Sequence, residues 1–347
     1  MNKKNICIIL DHELKNYRLA FFNALADNFN NVHVIHPGSK DFIDLKFSHE
    51  SVKVKKNKFF EFRVYPDLND YDIVVHMQNI RIINLWLLSL NPFKKYSLYH
   101  WGIGWSSSKG LDRDNLVIYI LRCFLMLISN GTIFYSNTIR NRYPKFIKHK
   151  TYVAPNTISN NLTMDCSGLE KDCFIFIGTL NSRKGLDELI DAYSRYVLNS
   201  KYNIFNLIII GDGAYKETLR RLILEKGLSD KVEMVGAISS ESEKVKYFKR
   251  AVACVSPRQA GLSILESFSY GVPFICYKNA ISGGEHFNID NGKNGFLVKN
   301  VNELYYILLK LSNDPDLYRS LGKHAFDFYT SGRTIEHMVN GFCEAFD

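Results

Sequence analysis

Strands and helices alternate regularly in two separate parts of this chain, and this alternation limits the possible folds more than any other feature. Near the start we predict a strand at Asn5–Leu10, an amphipathic helix at Tyr17–Phe29 and a strand at Val32–His36. The same pattern begins again at Cys173–Gly178 and continues to a strand at Pro273–Cys276. Because such alternation produces parallel sheets with helices on both faces, the sequence predicts an α/β fold with two doubly wound, Rossmann-like sheets.

The length of the chain favours two domains, because 347 residues exceed what one ordinary hydrophobic core holds. A Pro-Asn turn at Pro155 and Asn156 separates the two series of elements, so we place a hinge there. This predicts an N-terminal domain at residues 1–155 and a C-terminal domain from residue 156. Ligands of such sheets bind beyond the carboxyl ends of the strands, which we expect to face each other across a cleft.

The net charge of +9 is distributed unevenly along the chain. Residues 1–155 contain 22 Lys and Arg against 12 Asp and Glu, whereas residues 156–347 contain 22 against 23. A basic first domain suggests an anionic partner: a membrane surface, a phosphate-bearing substrate or nucleic acid. Nucleic acid is the weakest of these, because no nucleic-acid recognition motif is present. Alternatively, lysines such as those in the cluster at residues 53–58 form a solvated edge.

The sequence predicts a cytoplasmic protein that makes, at most, a peripheral contact with an anionic membrane. Lys3 and Lys4 precede only a short apolar run, which fits a first buried strand better than a secretory signal. Two longer apolar runs, Ile82–Leu90 and Leu116–Ile128, fall short of the ~20 residues that span a bilayer. We interpret them as buried helices in preference to surface anchors, although Trp86 leaves an interfacial contact open.

A candidate anion site follows the first strand of the second series. The strand at residues 173–177 leads into a turn with Gly178 and Gly185 at its ends and the basic pair Arg183 and Lys184 before a helix. Free backbone N–H groups, the positive end of the helix dipole and two cations then converge, which suits a diphosphate. The alternative is an ordinary pair of surface cations.

Two further loops belong to the same pattern. Gly211-Asp212-Gly213 ends the next strand, where glycines let backbone approach a ligand closely. Glu266 is the only acid between Glu243 and Glu285, on a helix that otherwise appears buried. A buried carboxylate needs a partner, and sugar hydroxyls are suitable; the alternative is an ordinary surface glutamate.

These motifs together resemble a known family. The runs GTLNSRKG (178–185), GDG, SPRQAGLSILESFSYGVP (256–273) and NGKNGFLV (291–298), in this order, are similar to the retaining glycosyltransferases of family 4, which have the GT-B fold. The resemblance extends from about Phe174 to Val298. It implies a C-terminal domain ending near residue 325 and a helix within Phe326–Phe346, in the segment 326–347, that crosses back to the first domain.

The resemblance also assigns roles to individual residues. It implies that Arg183 and Lys184 bind the donor diphosphate and assist catalysis, and that Glu266 binds the nucleotide ribose. The donor-binding set that it implies is Gly178, Thr179, Gly211, Asp212, Gly213, Ala237, Ile238, Arg258, Gly261, Leu262, Ser263 and Glu266. Within this set, Ala237 and Ile238 would frame the base, and the residues at 261–263 would contact the phosphates.

Two positions depart from the family pattern. Thr179 replaces an arginine that is common in the family, and Arg183 would supply that charge instead. Arg258 stands eight residues before Glu266, where the family usually has a glutamate that touches the donor sugar. We hypothesise that Arg258 adds a phosphate contact or pairs with an acidic donor sugar, since guanidinium binds carboxylate bidentately.

The first domain offers candidates for catalysis and acceptor binding. His100 lies at a predicted strand end before two glycines, where similar enzymes keep a histidine, although a lone histidine is equally a structural residue. The acceptor candidates are His12, Tyr17, Arg18, Trp101 and Gly102.

The sequence predicts no metal and no cofactor other than the nucleotide-sugar donor. Asp112-Arg-Asp114 and Asp314-Pro-Asp316 have the Asp-x-Asp spacing of metal-using transferases, but neither follows an apolar strand. Without a metal, Arg183, Lys184 and helix N-termini would stabilise the leaving diphosphate.

Our leading functional hypothesis is a retaining glycosyltransferase that uses a nucleotide diphosphate-sugar, with UDP favoured. A glycan or polyprenyl-diphosphate-linked glycan acceptor in bacterial surface polysaccharide or O-antigen synthesis fits the basic first domain. Two alternatives remain open: a nucleotide-sugar 2-epimerase of the same fold and a catalytically silent binding protein.

Overall fold

The computed structural model describes residues 4–39, 42–105, 115–160, 162–200 and 204–347. The chain divides into two compact units. The first unit comprises Met1–Ser159 with Thr334–Asp347, and the second unit comprises Asn160–Arg333. The sequence had placed these divisions after Pro155 and near residue 325.

The first unit is built on a parallel sheet of seven strands in the order β3-β2-β1-β6-β7-β8-β9. Its strands are β1 Asn5–Ile9, β2 Asn31–His36, β3 Ser48–Ser51, β6 Ile73–Met77, β7 Ser97–Gly102, β8 Gly131–Phe134 and β9 Thr151–Val153. A separate antiparallel hairpin joins β4 Val54–Lys56 to β5 Glu61–Arg63. The helices are α1 Asn16–Ala26, α2 Ile83–Leu90, α3 Leu116–Ile128, α4 Asn137–Arg140 and α5 Lys145–Lys148.

The second unit has a parallel six-stranded sheet in the order β12-β11-β10-β13-β14-β15. Its strands are β10 Cys173–Ile177, β11 Asn206–Ile210, β12 Val232–Gly236, β13 Ala251–Val255, β14 Phe274–Tyr277 and β15 Gly295–Val298. Its helices are α6 Leu186–Asn199, α7 Lys216–Glu225, α8 Glu241–Arg250, α9 Ser263–Phe268, α10 Val301–Asn313 and α11 Pro315–Gly332. The strand order reverses between β10 and β13, the place where ligands of doubly wound sheets bind.

Strand burial explains why these apolar runs form the centres of the two sheets. Every residue of β10, β13 and β6 is buried, as expected for parallel strands covered by helices on both faces. The strand predicted at Val32–His36 begins one residue earlier as β2, and the strand predicted at Cys173–Gly178 ends one residue earlier as β10. The structure therefore has the two doubly wound α/β sheets that the sequence predicts.

The C-terminal segment contains two helices. Helix α11 belongs to the second unit, and α12 (Ile335–Phe346) belongs to the first, where Met338, Phe342 and Phe346 join its core. Gly341 lets α12 approach β9, because a Cβ there would lie 2.3 Å from the Val153 carbonyl oxygen. The segment that returns to the first unit thus begins near Thr334, after the predicted start at residue 326.

We expect Gly341→Ala to lower the free energy of unfolding of the first unit by about 1–3 kcal/mol, because the added methyl group forces α12 away from β9. Gly332→Ala is the matched control, since nothing lies within 4 Å of a Cβ at that position. Urea titration followed by tryptophan fluorescence measures this unit alone, because all three tryptophans lie in it. Equal midpoints for the two variants would contradict this packing.

Candidate functional site

The loop after β10 carries the predicted basic pair. A 3₁₀ turn at Ser182–Lys184 is capped by Asn181, whose side chain accepts a hydrogen bond from the Arg183 N–H. Gly185 then adopts a left-handed conformation, with φ of 70°, and α6 begins. Arg183 is exposed, whereas Lys184 is partly buried. The two adjacent cations therefore occupy different environments on one turn.

Lys184 lies between this loop and the loop after β13. Its ammonium donates to the Gln259 carbonyl oxygen at 3.2 Å, and the Arg258 N–H donates to the Lys184 carbonyl oxygen at 3.1 Å. A Cβ on Gly178 would lie 3.8 Å from Lys184 Nζ. Burial lowers the pKa of Lys184, and the charge of Arg183 lowers it further, against the opposing effect of Glu285. Such an ammonium is incompletely neutralised and suits an anionic ligand.

Glu266 lies on α9 and pairs with Lys244 of α8, with 2.7 Å between the carboxylate and ammonium. Both side chains are mostly buried, at 17% and 18% exposure. The sequence assigned a sugar hydroxyl as the partner of this carboxylate, and the structure adds a second partner, Lys244. Lys244 leaves further acceptor capacity on Glu266, because a carboxylate accepts about four hydrogen bonds.

The charges of Lys184 and Glu266 both affect the pKa of Cys254, a fully buried residue of β13. Burial raises the pKa of the Cys254 thiol; the Glu266 charge raises it further, and the Lys184 charge lowers it. Lys184 follows β10 and Glu266 follows β13, and these two strands are neighbours in the sheet. The role of the two residues in one donor site stays a prediction.

The Gly211-Asp212-Gly213 loop packs against the loop after β10. A Cβ on Gly211 would lie 1.9 Å from the Gly178 carbonyl oxygen, and one on Gly213 would lie 2.3 Å from that of Leu180. These glycines are thus required by the contact between two loops, a reason that the sequence interpretation, which invoked a ligand, had missed. The Asp212 carboxylate pairs with Lys216 at 2.8 Å on the same surface.

The remaining donor candidates differ in exposure and in packing. Thr179 and Ala237 are exposed, and Ile238 packs against the core. Gly261 has open space on its Cβ side. The Ser263 hydroxyl, at the start of α9 beside Leu262, is buried and has no hydrogen-bond partner within the described ranges.

Arg258 forms an ion pair with a residue that the sequence did not indicate. Its guanidinium forms a bidentate pair with Glu188 of α6, at 2.7 and 3.0 Å. This pair lines a cavity of about 460 Å³ together with Tyr277, Asn279, Ile281, Lys299, Asn300, Val301 and Asn302. The hydrogen bonds that Arg258 donates to Glu188 raise the pKa of Arg258, so the guanidinium stays charged, and Glu188 already neutralises that charge. A carboxylate therefore lies beside the position where the family usually has one, but α6 supplies it.

His100 does not lie at a strand end, as the sequence suggested, but inside β7, where it pairs with His76 and Thr132. Its ring is fully buried and lies 3.2 Å from the Ser89 hydroxyl of α2. Burial lowers the pKa of His100 to about 3. This placement does not support a catalytic role, because the ring is neutral and enclosed by the core of the first unit.

A cavity of about 390 Å³ lies within the first unit, beyond the carboxyl ends of its strands. Its lining residues are Asp11, Met77, Gln78, Asn79, Ile80, Arg81, Trp101, Gly102, Ile103, Trp105, Ile118, Arg122 and Tyr135. Both polar atoms of the Gln78 side chain are buried and lack a partner among the described residues. Unpartnered amide atoms in a cavity are available to a polar ligand.

The predicted acceptor residues are divided between this cavity and the core. Trp101 and Gly102 line the cavity. Arg18 is only 2% exposed. Its guanidinium carbon lies 4.8 Å from the centre of the Trp101 ring, and it donates a hydrogen bond to the Tyr135 hydroxyl at 3.2 Å. Arg18 therefore contacts two residues that line the cavity without lining it itself. Tyr17 is exposed beside Arg18.

The acidic group of this cavity is Asp11, which sequence reasoning missed. Burial raises the pKa of Asp11, but hydrogen bonds from His12 and Asn79 and the nearby charges lower it more, so the net shift is downward. His12 Nδ1 lies 2.6 Å from the Asp11 carboxylate. The signal in the sequence was the position: Asp11 and Gln78 follow the last residues of neighbouring strands β1 and β6.

The Asp-x-Asp motifs have ordinary roles or cannot be placed. Asp314 caps α11 by accepting from the Leu317 N–H, whereas Asp112 and Asp114 lie outside the described residues. No group of three or more potential metal ligands is found in the described part of the chain. The expectation of a metal-independent reaction stays a prediction.

Comparison with known proteins finds a family that the second unit resembles. The profile of the family described as "Glycosyl transferases group 1" matches residues 167–328, almost the whole of this unit. The second unit is therefore similar to the glycosyltransferase domains of this family. Its limits enclose the loop of Lys184, the loop of Arg258 and helix α9, so the candidate donor site lies inside the matched segment.

Individual relatives agree with this assignment. An uncharacterized glycosyltransferase of Haemophilus influenzae is 29% identical over 170 residues, which cover 47% of this chain and 45% of that protein. The poly(ribitol-phosphate) alpha-N-acetylglucosaminyltransferase of Staphylococcus aureus is 26% identical over 46% of this chain and 33% of its own length. The chain thus spans less than half of the length of these relatives.

The fold comparison extends over both units. The crystal structure of Anabaena Alr3699/HepE in complex with UDP superposes with a TM-score of 0.74 and 17% identity, covering 99% of each chain. The chain has the GT-B fold, as the resemblance implied.

Proposed function

We propose that this protein is a retaining glycosyltransferase that moves a sugar from a nucleotide diphosphate-sugar, with UDP as the favoured nucleotide, to a glycan or lipid-linked glycan acceptor. The observation that carries the proposal is that Lys184 and Glu266 follow the neighbouring strands β10 and β13, where the strand order reverses, inside the segment that matches the family. The relative in the Anabaena structure is bound to UDP, which supports the choice of nucleotide.

The donor diphosphate is assigned to the turn that holds Arg183 and Lys184. Lys184 is held by the Gln259 carbonyl oxygen, so its ammonium is fixed before the donor arrives. Fixed cations stabilise the charge that grows on the diphosphate as the glycosidic bond breaks, and they do so without reorganisation. Glu266 is assigned to the ribose hydroxyls, which donate to its remaining acceptor sites while Lys244 holds its orientation.

The acceptor is assigned to the cavity of the first unit. The Asp11 carboxylate and the Gln78 amide supply acceptors and donors for sugar hydroxyls, and Trp101 supplies an apolar wall. Sugars bind to such mixtures of amides, carboxylates and aromatic rings, because each ring has polar edges and apolar faces. A role in surface polysaccharide or O-antigen synthesis, with a polyprenyl-diphosphate-linked glycan as acceptor, is part of this proposal.

The test is a panel of nucleotide sugars incubated with the full chain, including UDP-glucose, UDP-N-acetylglucosamine and UDP-glucuronic acid. We expect slow release of UDP from at least one donor and, with acceptor present, a product in which proton NMR shows the donor's anomeric configuration. Interconversion of the nucleotide sugar without UDP release would identify an epimerase. Neither reaction with any donor would contradict the proposed transfer and favour a silent binding protein.

The same panel run on Arg258→Gln examines donor selection. If the pair of Arg258 and Glu188 selects the donor sugar, the ratio of kcat/KM for neutral and uronic acid donors will change by about tenfold. Glu188→Gln is the matched variant, because it breaks the same pair from the other side. An unchanged ratio of kcat/KM in both variants would show that Arg258 does not contribute to donor selection.

A further inference from the structure

Helix α3 exposes an entirely apolar face. Its exposed members are Leu116 (70%), Val117 (61%), Ile120 (55%), Phe124 (44%) and Leu127 (44%). At about 100° per residue, these five side chains fall within one arc of roughly 100°. The buried residues Arg122, Leu125 and Met126 lie on the opposite side of the helix. The sequence interpretation of this run as a buried helix therefore holds only for its inner face.

Helix α2 repeats the arrangement next to α3. Ile83, Leu87 and Leu90, at helical spacing, are 37%, 57% and 57% exposed, and Phe93 beyond the helix is 86% exposed. The two helices pack through a small cluster of Ile82, Leu85 and Leu125. Two adjacent helices thus present apolar side chains to solvent, which is unusual for a surface that has no partner.

Lysines and further aromatic residues accompany these helices. The β4–β5 hairpin exposes Phe59 (66%) and Phe60 (53%), and residues 53–60 contain four lysines and no acid. The hairpin is tied to the segment before α2, because the Glu61 N–H donates to the Arg81 carbonyl oxygen at 2.8 Å. On α5, which packs near α3, Phe146 is 63% exposed between Lys145 and Lys148.

We propose that these four elements form a docking surface for an anionic lipid bilayer. This surface, which we name the apolar-lysine surface, consists of the exposed residues of α2, α3, α5 and the β4–β5 hairpin. Exposed Leu, Ile and Phe side chains insert at the boundary between headgroups and acyl chains, while lysines contact anionic headgroups. In the described part of the chain, no helix is long and apolar enough to cross a membrane, so docking is peripheral.

The charge of the surface distinguishes a bilayer from a second copy of this chain. In a twofold dimer the same patch meets itself, so Lys53, Lys55, Lys56 and Lys58 would approach their own counterparts. An anionic leaflet neutralises these lysines instead. The inner side of α3 contributes Ile118 and Arg122 to the cavity of the first unit. If the proposed transfer is correct, docking would bring that cavity close to membrane-held acceptors; the docking surface itself does not depend on that transfer.

The test is cosedimentation of the full chain with vesicles of phosphatidylcholine alone or mixed with phosphatidylglycerol. We expect at least tenfold stronger binding to the anionic vesicles, decreasing as salt is added. The double variant Ile120→Asn/Phe124→Asn should lose at least about tenfold in binding, because it removes apolar side chains from the inserted face. Replacing Lys53, Lys55, Lys56 and Lys58 by glutamine should remove most of the salt-dependent part.

The matched control is Leu198→Asn/Leu224→Asn, which changes two apolar residues of the second unit that are more exposed (80% and 71%) than Ile120 and Phe124. It should bind vesicles as the unchanged protein does, and all variants should retain the same UDP-induced thermal shift. Failure of the unchanged protein to bind anionic vesicles, or an equal loss in the control, would overturn the proposal. A change from dimer to monomer in the Ile120/Phe124 variant, measured by light scattering, would also overturn it by assigning this face to a second copy.

Discussion

Replacing Lys184 by alanine is expected to lower kcat/KM for glycosyl transfer by about 10²–10³, the effect of removing one preorganised group that stabilises charge in the transition state. The ammonium is held by the Gln259 carbonyl oxygen and lies beside the glycine at the start of the loop, so alanine leaves the diphosphate without its best-positioned cation. Steady-state kinetics with a nucleotide-sugar donor measures this effect.

Lys216→Ala is the matched control for that prediction. Lys216 is also a lysine of the second unit near these loops, but Asp212 neutralises it at the surface. We expect its removal to change kcat/KM by less than about twofold, since exposed ion pairs contribute little. Similar losses in both variants, or a Lys184→Ala protein with near-normal kinetics, would show that the diphosphate binds elsewhere.

The Glu266→Gln variant is expected to bind UDP about 10–100 times more weakly, because hydrogen bonds from hydroxyls to a carboxylate contribute about 1.5–3 kcal/mol. The amide keeps the shape of the side chain but loses the charge and one of the two acceptor oxygens. Isothermal calorimetry with UDP measures the change, and thermal unfolding shows whether the variant is folded.

Glu266→Gln also breaks the ion pair with Lys244. The variant Lys244→Gln measures the effect of losing that ion pair alone. Both variants lose the same ion pair, whose atoms lie 2.7 Å apart, but only Glu266→Gln removes the carboxylate. If Glu266 binds the ribose, Lys244→Gln will retain most of the UDP affinity. Equal losses in the two variants would instead indicate that the pair stabilises the second unit and that neither residue contacts the nucleotide.

The sequence predicted those parts of the fold and the site that depend on residues close together in the chain. The strands were identifiable because parallel strands buried on both faces are continuous apolar runs, as in β10 and β11. The turn carrying Lys184 was predicted for a similar reason, since it directly connects a strand to a helix. Both predictions use local pattern and the known geometry of strand ends.

Contacts between residues distant in the chain were not predictable in this way. Arg258 meets Glu188, seventy residues earlier, and Glu266 meets Lys244 on another helix. These pairs depend on how α6, α8 and α9 are placed on the sheet. His100 was misplaced because β7 continues for two residues beyond it and ends at Gly102.

Hydropathy also could not assign a face to the apolar helices. In α3 nearly every residue is apolar, so the sequence contains no polar stripe to indicate which side faces solvent. The neighbours decide this: Leu125 packs against α2, and the side bearing Ile120 has no covering element among the described residues. That unexpected exposure led to the proposed docking surface.

The most direct measurement for the central claim is calorimetric titration of UDP and of uridine into the unchanged protein and into Lys184→Ala. If the turn at residues 182–184 binds the diphosphate and Glu266 the ribose, UDP will bind far more tightly than uridine, and Lys184→Ala will remove most of that difference while leaving uridine binding intact. Equal affinity of the two proteins for UDP would contradict the account.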